Sequence, residues 1–273
     1  MFQALQAQLL QYKYAINTAM LGDNNRLAWS NLGLWQAGDR YPHDSYRHAC
    51  HALAQHLADS IHLNSNDILL DLACGQGASL ALWHNDYKIQ YISAVELQAQ
   101  HVARLNSDAA FLNSIRCDSF LNLNANSFQQ KFSAVLCIDA AYHVDLNSFL
   151  HSVTQVMQPK ARLAFHSLML SDKFLNLTAW QQKKYAYLLK AADVDLNHLM
   201  TQDGIHSTIM QHNFQQLKIE DLSAQVLAGF ADYIEQADLA LIGLDGFKIK
   251  MTAKLCRKLY QDGLVRYVAV AAF

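Results

Sequence analysis

Short apolar runs alternate with helix-period stretches from residue 67 to the end of the chain, and this is the pattern of strand-helix-strand units around a mainly parallel sheet. The strand runs are DILLDL, IQYISAV, FLNSI, FSAVLCI, ARLAFHSLML, QQLKIEDL and LVRYVAVAAF. They predict an α/β fold with seven strands. Ser171 to Asn213 separates the fifth run from the sixth, Ser223 to Asp262 separates the sixth from the seventh, and both stretches read mainly as helix, so no long structureless loop is needed. Upstream, Phe2, Leu5, Leu9, Tyr12 and Ile16 recur at spacings of three and four and give the first twenty residues one apolar helical stripe. That stripe is expected to pack on the chain's own body, with a homodimer contact or a membrane-surface helix as the lesser alternatives, basic residues being nearly absent there. Gly22, Gly33, Gly38 and Pro42 break the following stretch, and Asp44 reads as the N-cap of a helix running to about Asp59.

These elements lay out as one domain. Residues 1–62 form an N-terminal helical lid, 63–170 a cofactor-binding core, 171–213 and 223–262 helical cap inserts, and 214–222 with 263–273 the final strands. Composition adds exclusions. With 52% hydrophobic residues in 273 the chain can bury one large core. Its 21 Lys and Arg against 23 Asp and Glu leave no basic footprint for nucleic acid. Five cysteines without a C-x-x-C pair fit neither a disulfide framework nor a zinc site, and a cytoplasmic home is expected. No eighteen-residue apolar run predicts a membrane span.

The chemistry concentrates in LLDLACGQGAS, a strand ending at Asp71 followed by Gly75-x-Gly77 and a helix. Glycines at such a turn let the backbone approach a ligand. A dinucleotide fingerprint needs a third glycine three residues on, where this chain has Leu80, and no Gly-Lys-Ser/Thr follows for a phosphate loop. An acid before the glycines suits a ligand bearing an ammonium at this end, as S-adenosylmethionine does; an ordinary strand-turn-helix is the bland alternative. Nineteen residues after Gly77, Glu96 closes the second strand run, where a carboxylate suits a ribose diol. Asp118 and Ser119 follow the third run, placed either for an adenine amine or merely as a helix cap.

On LLDLACGQGAS, SAVELQAQHVARL and CIDAAYHVDLNSFLHSVTQVMQPKARLAF, the chain resembles the class I S-adenosylmethionine-dependent methyltransferases. NLGLW, FQQLKIEDLSAQVLAGF and GLVRYVAVAAF add a likeness to their small-molecule subgroup, which includes sugar O-methyltransferases, tocopherol and sterol methyltransferases and relatives of the cyclopropane-fatty-acid synthases. The resemblance implies a Rossmann-like seven-stranded sheet with helical cap inserts, S-adenosylmethionine as cofactor, and a cofactor site of Asp71, Ala73, Gly75, Gly77, Glu96, Leu97, Asp118, Ser119, Asp139 and Ala140. It places Asp139 and Ala140 beside the transferable methyl. The chain departs from the family in having Pro159-Lys160-Ala161 in place of Pro-Gly-Gly before the fifth strand, and His101 where relatives have glutamine near the adenine.

Methyl transfer from a sulfonium needs alignment above all, and a base only when the acceptor must lose a proton. His143, in the loop after the fourth strand, is the candidate base, as in the related sugar O-methyltransferases; Tyr142 and His166 are weaker candidates. His48, Cys50 and His51 lie close together, yet no further ligand of metal spacing follows. The sequence therefore predicts methyl transfer to an oxygen or nitrogen of a small metabolite, amphiphilic or aromatic. The alternatives are methyl or methylene transfer to an alkene carbon of a lipid or isoprenoid, and a cofactor-binding protein without turnover. Phe174, Trp180, Tyr185, Tyr187, Phe230, Tyr233 and Phe247 in the two inserts are read as either helix-packing core or an acceptor lining.

Overall fold

The computed structural model describes residues 17–36 and 45–273. The apolar stripe of residues 2–16, the breakers Gly38 and Pro42 and the N-cap Asp44 lie outside the described residues. The helix expected after Asp44 is α1, Ser45–Ser60. It buries Tyr46, Ala49, Cys50, Leu53, Ala54 and Leu57 against the sheet, a spacing of threes and fours that makes one continuous face.

Alternating strands and helices follow: β1 (Ile68–Leu72), α2 (Ala78–Asn85), β2 (Tyr91–Glu96), α3 (Ala99–Asp108), β3 (Ser114–Cys117), β4 (Phe132–Cys137), α4 (Leu146–Thr154) and β5 (Met157–Leu170). The first insert holds α5 (Asp172–Leu175), α6 (Ala179–Lys190), a two-residue strand β6 (Met200–Thr201) and α7 (Gln202–Gln211). Strand β7 (Leu217–Asp221) leads through a π-helical turn at Ala224–Ala228 to α8 (Gly229–Gln236) and α9 (Gly243–Asp262), and β8 (Val265–Ala272) closes the chain. The sheet order is β3-β2-β1-β4-β5-β8-β7, parallel except for β8, which runs antiparallel to both its neighbours. The order in which the chain adds strands reverses between β1 and β4, which stay parallel, so a crevice opens at their carboxyl ends.

Two details differ from the sequence expectation. β6 is an eighth strand; it pairs only Met169 and Leu170, the last residues of a fourteen-residue β5 that outruns its parallel partner β4 and leaves its end open to pairing. β3 sits about three residues later than FLNSI. Its ladder runs from Ser114 opposite Ser93 to Cys117 opposite Glu96, and an edge strand tolerates the polar Ser114 and Arg116 that interrupt the apolar pattern. At the departure from Pro-Gly-Gly, Lys160 takes φ +62°. The turn thus keeps the left-handed residue a glycine would supply, at a steric cost of roughly 1–2 kcal/mol.

Candidate functional site

Above the switch point lies a cavity of about 1020 Å³. That is the upper end of the range for one ligand, roughly 300–1,000 Å³, and is large enough for two small molecules. Of the residues singled out from sequence, Asp71, Ala73, Gly75, Glu96, Leu97, Asp118, Ser119, Asp139, Ala140 and His143 all line it. Gly77 stands behind the lining, at the N-cap of α2.

The turn after β1 is built from left-handed residues: Ala73 at φ +56°, Gly75 at +56° and Gly77 at +90°. A Cβ at Gly77 would stand 2.3 Å from Leu105 Cδ2, so the packing of α3 behind the turn excludes any side chain there. The turn is tied to β2 twice over. Ala73 N–H donates to the Val95 carbonyl at 2.8 Å, and Gly75 N–H donates to Glu96 Oε2 at 2.9 Å. Gln98 N–H reaches the other Glu96 oxygen at 2.8 Å. Glu96 therefore holds the turn as well as facing the cavity, and its two oxygens retain acceptor sites for a ligand hydroxyl. His101 is not among the lining residues; its Nδ1 stands 3.7 Å from Glu96 Oε1.

Asp71 is 1% exposed. Trp83 Nε1–H donates to its Oδ2 at 2.7 Å, while Oδ1 is buried without a hydrogen-bond partner among the described residues. Burial pushes the Asp71 carboxyl up to about 6, with the side chains of Trp83 and Ser79 offsetting only part of that. A buried carboxylate oxygen that lacks a partner beside an open turn fits a cationic group such as the ammonium of S-adenosylmethionine. Asp118 is more self-contained. Its Oδ1 accepts from Ser119 N–H at 2.8 Å and Asn122 Nδ2 at 2.7 Å, and the Asn122 bond above all holds its carboxyl below the usual range. Ser119 Oγ in turn caps the next turn, accepting from Leu121 N–H.

Past β4 the chain forms a second cluster, centred on Asp139 in a left-handed conformation, φ +53°. Its Oδ2 accepts from Leu32 N–H at 2.9 Å; its Oδ1 accepts from the Tyr142 hydroxyl at 2.8 Å and the Tyr267 hydroxyl at 3.0 Å. Burial pushes this carboxyl up to about 6 against the lowering by those three donors. The Leu32 amide is aimed by its neighbours: the Asn31 carbonyl accepts from the Tyr46 hydroxyl and the Cys50 thiol of α1. His166, on β5, accepts from Asp139 N–H at its Nδ1, and burial lowers it to about 3, so it is a neutral buttress beneath the loop. His143 Nδ1 stands 3.0 Å from the Asp193 carbonyl. A carbonyl only accepts, so Nδ1 carries the hydrogen and Nε2 the basic lone pair.

Sequence reasoning did not find Tyr267 or the segment Trp29–Leu32. A tyrosine inside the apolar run LVRYVAVAAF, whose buried hydroxyl must find a partner, was the available signal for the first. The far wall of the cavity comes from both inserts, through Leu188, Leu189, Val194, Leu227, Phe230 and Leu255. Of the insert aromatics, Phe230 and Phe247 line the cavity. Trp180 does not and is 71% exposed. Among the described residues no three metal-binding side chains converge; His51 pairs with Asp86. Nor is any helix among them long and apolar enough to cross a membrane.

Residues 70–165, from β1 into β5, match the family described as a methyltransferase domain. No curated protein matches the chain by sequence. Several solved structures share its fold. Geranyl diphosphate C-methyltransferase from Streptomyces coelicolor, in complex with Mg2+, geranyl-S-thiolodiphosphate and S-adenosylhomocysteine, is 16% identical with a TM-score of 0.70 over 98% of this chain and 96% of that one. The cyclopropane synthase MmaA2 from Mycobacterium tuberculosis is 14% identical, TM-score 0.72, over 98% of each chain. The mycolic acid cyclopropane synthase CmaA1, complexed with S-adenosylhomocysteine, is 11% identical, TM-score 0.74, over 97% of each. At such identities the likeness is one of fold.

Proposed function

We propose that this chain, a class I S-adenosylmethionine-dependent methyltransferase, transfers a methyl group to an alkene carbon of a small acceptor with an apolar body. The observation that carries this reading is the Asp139 carboxylate, which lines the wall shared by the cofactor and acceptor halves of the cavity and is held by one amide and two tyrosine hydroxyls. Asp71, the glycine turn, Glu96 and the Asp118–Ser119 loop make up the cofactor side on this reading, with residues 171–213 and 223–262 supplying the acceptor side.

When bound, the cofactor supplies a methyl on a positively charged sulfur, and a double bond that takes this methyl is left with a cation on its other carbon. Asp139 faces such a charge with an anion fixed in advance, the arrangement that lowers a barrier most in a dry site. Poised near 6, it also suits removal of the proton. Taken from a neighbouring carbon, that proton leaves its bonding pair as a new double bond; taken from the transferred methyl, it leaves the pair to close a three-membered ring. The names of the solved neighbours, a C-methyltransferase and two cyclopropane synthases, support the same class.

One observation favours the other reading, transfer to oxygen or nitrogen: the Asp193 carbonyl leaves His143 Nε2 as the basic nitrogen on the same wall. Incubation with S-adenosylmethionine labelled with carbon-13 in the methyl, together with a metabolite extract, separates the two, because the chemical shift of the product methyl reports the atom that carries it. On the proposed reading the label appears on carbon, Asp139→Asn lowers turnover by roughly 10² to 10⁴, and His143→Ala changes it less than about tenfold. A label on oxygen or nitrogen with the two variants reversed overturns it.

A further inference from the structure

We infer that the acceptor carries an anionic head group, bound at the cap end of the cavity by Lys190 and Lys254 with Lys258 beside them. This rests on the reading that the cap side of the cavity receives the acceptor.

The charges lining the cavity are sorted along its length. The cofactor end presents Asp71, Glu96 and Asp118, acids that suit a cationic cofactor; the cap wall presents Lys190 from the end of α6 and Lys248, Lys254 and Lys258 from α9, four cations against the two acids Asp193 and Asp245, the latter already accepting from Asn17. This cationic wall is no reflection of overall charge, because the chain is net −2 and yet places five of its 21 basic residues between positions 248 and 258. Two of the five serve the scaffold: Lys250 donates to the Leu241 carbonyl, and Arg257 pairs with Asp232 and Glu235. The other three line the cavity. Lys258 pairs with Asp262 at 2.8 Å, whereas Lys190 and Lys254 make no ion pair among the described residues.

Phe247, Met251 and Leu255 recur every fourth residue on α9 and also line the cavity, so the lysines flank an apolar track. That is the lining an amphiphile needs: apolar stems along the tail, ammonium groups at its charged end. A neutral acceptor would gain nothing from these charges, and a cationic one would be repelled. The lysine ammonium is a compact point charge that takes carboxylate or phosphate alike, and the head group is one of these.

Titration calorimetry on the full chain, saturated with S-adenosylhomocysteine, tests this with octanol, octanoate, octyl phosphate and octyltrimethylammonium. At least one of the two anions is expected to bind tenfold or more tighter than octanol, its advantage shrinking as salt rises, and which anion it is tells phosphate from carboxylate. Lys190→Gln with Lys254→Gln is expected to remove about a tenfold share of that preference while leaving octanol and S-adenosylhomocysteine affinities unchanged. Octanol binding as tightly as both anions in the unaltered protein overturns the inference, as does a double variant that keeps the full preference. The chains are saturated and no turnover is read, so failure here leaves the carbon-transfer reading intact, and a methyl found on oxygen leaves this result standing.

Discussion

The two halves of the cavity are built by different means. On the side proposed for the cofactor the geometry is backbone geometry: left-handed residues at Ala73, Gly75 and Gly77, and amides of Gly75 and Gln98 fixed on Glu96, all within about 25 residues of sequence. On the side proposed for the acceptor it is long-range packing: the Tyr267 hydroxyl reaches Asp139 from 128 positions away, and outside the lining Tyr233 reaches the Leu21 carbonyl across 212. A site written locally can be read locally. A site assembled from three distant stretches can vary its lining without disturbing the glycine turn.

The largest effect that would sharpen this contrast is on Phe230. It is 2% exposed and lines the cavity from α8, so Phe230→Ala is expected to cost about 3–5 kcal/mol of stability and to weaken acceptor binding. Cofactor affinity of the folded fraction should hold. A denaturant melt with parallel titrations of both ligands checks it; an equal loss of cofactor affinity would mean the halves are not separable.

On the other side, Glu96→Ala is expected to weaken S-adenosylmethionine binding by roughly 1.5–3 kcal/mol, the range for hydrogen bonds to a charged group. The variant loses any bond to the ligand and also frees the Gly75 and Gln98 amides. Calorimetry on a variant with native circular dichroism reads the effect directly, and an unchanged dissociation constant removes Glu96 from the cofactor side.

How much could be read in advance follows the same division. All seven expected strands are present, and ten of eleven expected site residues share one cavity, because a glycine turn and an acid at a strand end carry their reason within a few positions. β6 and the displaced β3 were not legible, since a two-residue strand has no period and an edge strand needs no apolar run. Tyr267 and Leu32 were not legible either, for their partner Asp139 is distant in sequence and one of the two contributes only a backbone amide. Trp180 and Phe230 looked alike as insert aromatics; only packing put one in the wall and the other in solvent.

A third test uses pH. Burial holds Asp71 near 6, above its ordinary value near 4, so the folded state binds the proton more tightly than the unfolded one. This group's contribution to stability without ligand is therefore full below pH 4 and is lost as pH rises through 6, by up to about 1.4 kcal/mol per unit. A bound cation favours the ionised carboxylate, so S-adenosylmethionine affinity should rise over the same interval. Asp71→Asn should flatten the affinity slope and reduce the stability slope to the share carried by Asp139, which burial holds near 6 as well. Urea melts and titrations at pH 4.5, 5.5, 6.5 and 7.5 measure them, and slopes identical to those of the unaltered protein would show that another group sets the pH response.

The smallest expected effect lies at Trp180, on the solvent face of α6. Two-thirds or more of this side chain meets water, and the Lys184 ammonium one turn on stands 5.8 Å from its ring centroid. Such an exposed pair contributes roughly 0.5 kcal/mol, and truncating an exposed side chain stays within about the same amount. Tyr185, the next but four along the same helix, is buried and bonds Asp262 at 2.5 Å; the helix is anchored through that face, and Trp180 adds little to it. Trp180→Ala should therefore leave stability, cofactor affinity and acceptor affinity all within about 0.5 kcal/mol, while the same substitution at Phe230 does not. A Trp180→Ala variant that loses acceptor affinity and keeps cofactor affinity would place this face of α6 against the acceptor, and the acceptor half would then extend beyond the cavity wall described by Phe230 and Leu255.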